Sequence, residues 1–332
     1  MKQINYTIIR KFFLKKLQES GLNIDHSIHV TEALINASLF GIDSHGVRLF
    51  SHYLDCLKNG RVKASSAKLI KRNGLTVVDA KHSFSHSAAQ LLLAELDQDT
   101  LESAVSTGCI LNSDHYGASG IHAFNSQIEG KIILSFTNAD ALANSPDGKS
   151  VIFGTNPISC VFREKEHLLY IDLATTKFSM NRVKNYRLEN KELPPNVGRD
   201  SDGHLTRNAF DTVSLEPIGG HKGFALAFLI ELLTSGLTGM NPSFDLMGMY
   251  GTDTSKTRGV SHSFIVINPS YFPGGLVSIL ALIDGVRSKM ELEQLNLSPG
   301  IKEMNTKKSR MEKGIPVDIS ILDEWKQIGF EA

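Results

Sequence analysis

The chain has 332 residues, of which 41% are hydrophobic and 21% are charged, so it is large enough to fold into two or three lobes with buried cores. Lysine plus arginine and aspartate plus glutamate are equal at 35 each, which argues against a nucleic-acid or anionic-membrane partner and favours a small-molecule ligand. Three cysteines without C-x-x-C spacing, no apolar stretch of 18 residues and no signal-peptide pattern predict a cytoplasmic protein that spans no membrane.

The first sixty residues predict helices. Apolar residues recur there at helical spacing in two stretches, each ended by a glycine, and a third helix follows the sequence GIDSHGVRLF. The three predicted helices cover residues 5–19, 27–39 and about 49–57.

Further along, strand-like and helix-like stretches alternate, which predicts an α/β fold. Predicted strands cover residues 75–80, 109–113, 131–138, 156–162, 167–174 and 261–269. Predicted helices cover residues 88–108, 121–128, a buried helix from His221, 276–290 and 318–330. The polar stretch 181–215 contains two prolines and several turn formers, and it predicts a surface excursion.

This order of elements predicts three lobes. A helical lobe would combine residues 1–70 with 286–332, and an α/β lobe that binds the ligand would combine 71–125 with 216–285. A β-rich middle lobe would cover residues 126–215.

No two glycines have G-x-G spacing, so the sequence lacks both the usual dinucleotide fingerprint and a phosphate-binding P-loop. The stretch GIDSHGVRLF instead places Ser44, His45 and Arg48 together between two helices. Imidazole titrates near neutral pH, and arginine forms forked pairs with carboxylates, so a small acid is a suitable ligand. A solvated histidine and a structural arginine pair are the alternative explanations.

Two further stretches combine glycines with a polar side chain. In SDHYGASG, residues 113–120, His115 follows a predicted strand, at the sheet edge where ligands gather in α/β proteins. In EPIGGHKGF, Lys222 and Gly223 begin a predicted helix, where free N–H groups and an ammonium suit an anion. Each could instead be an ordinary turn. HSFSH has H-x-x-x-H spacing without the acid of a metalloprotease, so no metal site is predicted.

In this order along the chain, SHG, DHYGASG, GTNP, DLATT and HKGF resemble the type-2 malate/L-lactate dehydrogenase family, and the resemblance extends from the N-terminal helices to Gly300. It implies a non-classical NAD(P)-binding fold, with a helical N-terminal lobe and a mixed-sheet core. It also implies a homodimer that uses NAD or NADP and acts on a small carboxylate substrate.

The resemblance assigns roles by position. His45 and His115, with Ser44 beside the former, would transfer the proton, and Arg48 would bind the substrate carboxylate. Arg48 lies one position earlier than the family's usual arginine, and Asn181-Arg182 replaces its usual Gly-Lys. The residues that would contact the cofactor are Ala139, Asp172, Leu173, Ala174, Lys222 and Gly223.

The implied reaction is hydride transfer between nicotinamide and the alpha carbon of a 2-oxo or 2-hydroxy acid. Two alternatives stay open. One is reduction of a cyclic imine carboxylate, and the other is a catalytically silent homologue that binds a small acid.

Overall fold

A computed structural model of the chain describes residues 1–72, 74–148, 150–250, 253–295 and 298–331. The helices are α1 Tyr6–Glu19, α2 Ile24–Leu39, α3 Phe50–Lys58, α4 Ser85–Asp99, α5 Ser119–Asn125, α6 Met180–Leu188, α7 His221–Glu231, α8 Gly275–Leu292, α9 Ile301–Lys313 and α10 Ile319–Gln327. The strands are β1 Lys2–Ile4, β2 Lys68–Arg72, β3 Leu75–Asp79, β4 Val105–Ser113, β5 Ile132–Thr137, β6 Ala143–Asn144, β7 Val151–Phe153, β8 Ile158–Glu164, β9 His167–Leu173, β10 Gly198–Arg199, β11 Leu205–Thr206, β12 Ser214–Leu215, β13 Val260–Ile267 and β14 Ile315–Val317.

The core of the molecule is a mixed sheet with the strand order β2-β3-β4-β13-β5-β8-β9. Strand β13 is antiparallel to both β4 and β5, and β8 is antiparallel to β5 and β9. The C-terminal ends of β4, β5 and β9 therefore lie at the same edge as the N-terminal ends of β13 and β8. This edge gathers residues from five distant stretches of sequence.

The predicted α/β class, with helices at the N-terminus and a mixed sheet, is confirmed. The proposed division at residue 126 does not follow a sheet boundary, because β5, β8 and β9 are hydrogen-bonded into the same sheet as β3, β4 and β13. A smaller sheet with the order β11-β10-β12-β6-β7 covers part of the predicted middle lobe.

The predicted helix 88–108 is wrong after residue 99, since Val105 begins β4 and Gly108 lies inside that strand. Gly108 resembles a helix stop in the sequence, but its function is close packing. A Cβ there would lie 2.5 Å from Leu92 Cδ1 and 2.6 Å from the Thr76 carbonyl oxygen. Glycine thus lets α4 lie directly against the sheet.

The polar segment 181–215 is more than a surface excursion. It contains most of α6 and the short strands β10, β11 and β12, which surround a small apolar cluster. Val183 of α6 is fully buried in that cluster. The buried members of the cluster are Phe178, Val183, Leu193, Val197, Ala209 and Leu215.

The helical lobe joins the two ends of the described chain. Strand β1 pairs with β14, and helices α1, α2, α3 and α10 share one aromatic core. In that core Phe13 stacks on Phe50 at a centroid distance of 3.6 Å, and Trp325 meets Phe13 edge-on. None of the described helices has the length and apolar character needed to cross a membrane.

Candidate active site

Two adjoining cavities open at the sheet edge defined above. The first cavity has a volume of about 310 Å³, and the second has a volume of about 570 Å³. Because part of the wall is common to both, a ligand can extend from one cavity into the other. The shared wall consists of His45, Gly117, Thr155, Pro157 and Ser179.

The turn that carries His45 consists of two short 3₁₀ helices between α2 and α3. Gly46 joins them, and a Cβ at that position would lie 2.0 Å from Ser38 Oγ, so only glycine fits. Ser38 Oγ accepts a hydrogen bond from the Val47 backbone N–H at 2.9 Å. Asp43 forms a forked ion pair with Arg310 of α9, with N–O distances of 2.5 and 2.9 Å. These contacts fix the backbone on both sides of His45.

The structure brings the two predicted histidines together. The rings of His45 and His115 are nearly parallel, at an interplanar angle of 13° and a centroid distance of 5.8 Å. His115 lies two residues after the end of β4, and its backbone N–H donates a hydrogen bond to Asp114 Oδ1 at 2.7 Å. Ser44 Oγ lies 2.9 Å from Nδ1 of His45. Both rings line the first cavity.

Burial decides the charge state of these imidazoles. It lowers the pKa of His45 to about 4, and it lowers the pKa of His115 well below the ordinary value, with a smaller contribution from the neighbouring His45. Both rings are therefore neutral at neutral pH. A neutral imidazole can accept a proton, which is the property of a general base.

Tyr53 of α3 is a site residue that was not singled out from the sequence. Its hydroxyl oxygen lies 2.7 Å from Nδ1 of His115, and its side chain is fully buried. The hydrogen bond fixes the orientation of the imidazole and leaves Nε2 as its other proton-exchanging nitrogen. The feature of the sequence that could have indicated Tyr53 is its position, since it places a hydroxyl group eight residues after His45 on the helix that follows the turn.

Arg48 lies outside both cavities. Its Nη2 forms an ion pair with Asp318 Oδ2 at 2.6 Å, and its Nη1 donates to Asn185 Oδ1 at 2.8 Å. It lines a separate cavity of about 190 Å³ together with Ser44 and residues of α6. Arg48 thus forms a structural ion pair, which was the alternative to its predicted role in binding the substrate.

Ala139 lines the first cavity in a turn held by buried polar groups. Its backbone N–H donates to Asn156 Oδ1 at 3.1 Å, and Asn156 Nδ2 donates to Glu231 Oε2 at 2.8 Å. Glu231 also accepts hydrogen bonds from Asn138, Ser235 and Ser243, so its buried carboxylate joins three loops. The GTNP stretch is thus a structural turn that positions Ala139.

Asp172, Leu173 and Ala174 line the second cavity at the end of β9. Asp172 Oδ2 accepts hydrogen bonds from the Gly120 backbone N–H at 2.9 Å and from the Tyr170 hydroxyl at 3.2 Å. Burial raises the pKa of Asp172 to about 6. The Glu303 side chain of α9 lines the same cavity.

The donor and acceptor groups of the two cavities fit a nicotinamide dinucleotide. In dinucleotide sites a carboxylate commonly accepts a hydrogen bond from a ribose hydroxyl. Asp172 and Glu303 supply carboxylates in the wall of the second cavity. Gly117, at φ 75°, lies in the wall common to both cavities and allows close approach of a ligand to the backbone. The apolar side chain of Leu173 and the Ala174 methyl group offer a surface for a planar ring.

Lys222 and Gly223 begin α7, as predicted, but neither residue lines the two cavities. Lys222 is exposed. Gly223 is required by packing, because a Cβ there would lie 2.3 Å from the Ile218 carbonyl oxygen. Their predicted contact with a cofactor stays a prediction.

Three charged residues of the first cavity were not singled out from the sequence, namely Asp140, Lys184 and Arg258. They come from a loop after β5, from α6 and from the segment before β13, and nothing in their local sequence links them. Asp200, Asp202 and His204 have potential metal-binding atoms within 4.8 Å of one another, but none of them lines either cavity.

The fold is that of a known class of oxidoreductases. The crystal structure of delta1-piperideine-2-carboxylate reductase from Pseudomonas syringae pvar. tomato superimposes with a TM-score of 0.89 at 24% sequence identity, covering 99% of this chain and 100% of that chain. The chain itself belongs to the malate/L-lactate dehydrogenase family, whose sequence profile matches residues 4–326. The resemblance read from the sequence motifs is confirmed.

Curated relatives cover nearly the whole chain. A malate dehydrogenase from Pyrococcus abyssi is 27% identical, over 98% of this chain and 94% of its own length. A malate/(S)-sulfolactate dehydrogenase from Methanothermus fervidus is 26% identical, over 97% of this chain and 96% of its own length. The similarity therefore extends over the stretches of this chain that form both cavities.

Proposed function

We propose that this protein is a nicotinamide-dependent oxidoreductase that interconverts a small 2-oxo acid and the corresponding 2-hydroxy acid, with NAD or NADP as cofactor. The observation that carries the proposal is the pair of neutral imidazoles, His45 and His115, in the wall of one cavity. Membership of the malate/L-lactate dehydrogenase family supports it.

His115 is the proposed proton-transfer residue. In oxidation of a 2-hydroxy acid its neutral ring accepts the hydroxyl proton at Nε2, and in reduction the protonated ring returns that proton to the carbonyl oxygen. Tyr53 holds the ring from Nδ1 during both steps. His45, hydrogen-bonded to Ser44, is the second candidate for this role, and variants of each residue separate the two.

The cofactor would occupy the second cavity, against Asp172, Leu173 and Ala174, and reach Ala139 in the first. When bound, nicotinamide supplies the hydride acceptor or donor. The chain contributes the orientation of the reacting groups and a cleft that limits access of water.

The proposal extends to a homodimer in the cytoplasm. Large apolar side chains of α7, α8 and the turn after α7 are about half to four-fifths exposed, which is typical of a surface that another subunit covers. The three cysteines are free, as expected in a reducing compartment. Sedimentation of the purified protein tests the dimer. The exposed side chains include Phe228, Leu229, Leu232, Leu237, Val277 and Leu282.

The first experiment is titration of the protein with NADH and with NADPH while nicotinamide fluorescence is recorded. Binding of neither cofactor would refute the enzyme proposal and favour a catalytically silent homologue. A panel of 2-oxo acids and cyclic imine carboxylates, followed by loss of absorbance of the reduced cofactor, then chooses between the two reactions.

The second experiment is His115→Ala. We expect kcat to fall on the order of 10²- to 10⁴-fold, the usual contribution of a positioned acid–base group, while cofactor affinity stays nearly unchanged. His204→Ala, on an exposed loop away from both cavities, is the matched control. An unchanged rate for His115→Ala would disprove its proposed role.

A further inference from the structure

Among the residues that the structure describes, the charged side chains of the first cavity have a net charge of plus one. Asp140, Lys184 and Arg258 line it, while His45 and His115 are neutral. Arg258 is 4% exposed, and its Nη2 lies 2.5 Å from Asp140 Oδ1, so these two opposite charges cancel. The remaining charge is the ammonium group of Lys184.

Lys184 has no carboxylate or hydrogen-bond partner among the residues that the structure describes. Its Nζ lies over the aromatic ring of Tyr250, 2.9 Å from the ring centroid, and its side chain is half-buried. A partly desolvated cation without an anion is a favourable site for a carboxylate from outside the chain.

Its neighbours connect Lys184 to the turn that carries the catalytic candidates. Asn181 lies one helical turn before Lys184 on the same face of α6, and it also lines the first cavity. Asn181 Nδ2 donates to the Ser44 carbonyl oxygen at 2.8 Å, and the Tyr250 hydroxyl donates to Asn181 Oδ1 at 2.9 Å. These hydrogen bonds hold α6 beside His45.

Arg48 is already engaged. Its guanidinium is shared between Asp318 and Asn185, and breaking that ion pair to bind a substrate would leave Asp318 without its partner. Lys184, by contrast, faces both the first cavity and the cavity of Arg48. Lys184 therefore occupies the wall between the engaged arginine and the two histidines.

Among the residues that the structure describes, no charged side chain lines the first cavity besides Lys184 and the Asp140–Arg258 pair. Apart from the Asp140–Arg258 pair, its wall consists largely of backbone, uncharged polar groups and apolar side chains. A second carboxylate or a sulfonate would face Asp140 or lose its hydration without compensation. The apolar side chains in the wall include Leu142, Met180, Met249 and Val260.

We propose that Lys184 binds the single carboxylate of the substrate, and that the substrate is a mono-anionic 2-oxo or 2-hydroxy acid with an uncharged, apolar side chain. This inference rests on the proposed function. It separates this chain from relatives whose names specify malate and sulfolactate, which carry two acid groups each.

Substrate preference of the unmodified protein is the first test. We expect kcat/KM for 2-oxobutyrate and 2-oxoisovalerate to exceed that for oxaloacetate and sulfopyruvate by roughly tenfold or more, because the cavity leaves the second anionic group unpaired. A preference for oxaloacetate or sulfopyruvate would overturn the inference. This test requires no variant, so it is independent of any folding defect.

Lys184→Met is the second test, since methionine keeps the unbranched shape and most of the length of the side chain and removes the charge. We expect KM for the preferred acid to rise roughly 10- to 100-fold with kcat changed much less, and Lys184→Arg to restore most of the affinity. Arg182→Met removes an exposed positive charge from the same helix, stacked on Phe178, and should leave KM unchanged.

Oxamate has one carboxylate next to an amide carbonyl and is not reduced, so its binding affinity can be measured without turnover. Calorimetric titration into the protein saturated with NADH should show the same weakening in Lys184→Met, while NADH affinity stays constant. Unchanged KM and oxamate affinity in Lys184→Met would reject Lys184 as the carboxylate site. Failure of the proposed function has a different signature, namely no binding of NADH or NADPH to the unmodified protein.

Discussion

Replacement of Tyr53 by phenylalanine tests whether the hydrogen bond to His115 contributes to catalysis. The variant removes one hydroxyl whose oxygen lies 2.7 Å from Nδ1 of His115 and keeps the ring, which stacks on Phe84 at a centroid distance of 4.4 Å. A buried polar atom left without its partner costs about 1–3 kcal/mol. If that cost falls on the transition state, kcat/KM drops roughly 5- to 150-fold.

Burial raises the pKa of Tyr53 well above 10, so the hydroxyl stays protonated throughout an assay between pH 6 and 9. The loss in Tyr53→Phe should therefore be similar at every pH in that range. Steady-state oxidation of the preferred 2-hydroxy acid measures it, with Tyr271→Phe as control because that hydroxyl donates to Leu101 far from the cavities. A kcat/KM within twofold of the unmodified protein would refute the reasoning.

Two further predictions concern the cofactor and the pH dependence. If the adenosine ribose lies beside Asp172 and Glu303, NADH should bind at least about tenfold more tightly than NADPH, because these carboxylates repel a 2′-phosphate. Equal affinities in the fluorescence titration would contradict that placement. Burial and the nearby charge of Arg187 lower the pKa of Lys184 to about 8, although Asp140 opposes the shift. The ammonium is charged below that pH and neutral above it, so KM for the acid should rise between pH 7 and 9, and a flat KM would argue against carboxylate binding by Lys184.

The histidines of the site were predictable because each belongs to a short motif. SHG and DHYGASG place His45 and His115 next to glycines whose conformations the turns require, and these signals are local in the sequence. The structure adds their mutual distance and the hydrogen bond from Tyr53 of α3 that fixes His115 in the turn after β4. His45 lies in the turn between α2 and α3 and His115 lies in the turn after β4, so the two motifs, 70 residues apart, line one cavity where the helical lobe meets the sheet edge.

The charges of the first cavity were not predictable by the same reasoning. Asp140 and Arg258 are 118 residues apart and meet only because β5 and β13 are neighbours in the sheet. Lys184 lies in a segment whose polar composition predicted a surface excursion, although part of that segment forms α6 against a small apolar cluster. Arg48 is the opposite case: its motif indicates a ligand, whereas its ion-pair partner in the structure, Asp318, lies 270 positions further along the chain.

The forked pair between Asp43 and Arg310 has a consequence for the biosynthesis of the protein. The two residues are 267 positions apart, so the turn that carries His45 lacks this support until α9 has emerged from the ribosome. At about 5–20 residues per second, that interval is roughly 15 to 50 s. The turn is thus among the first parts of the chain to be made and among the last to reach its final form. A nascent chain that stops before residue 310 should contain both histidines without an ordered reaction centre.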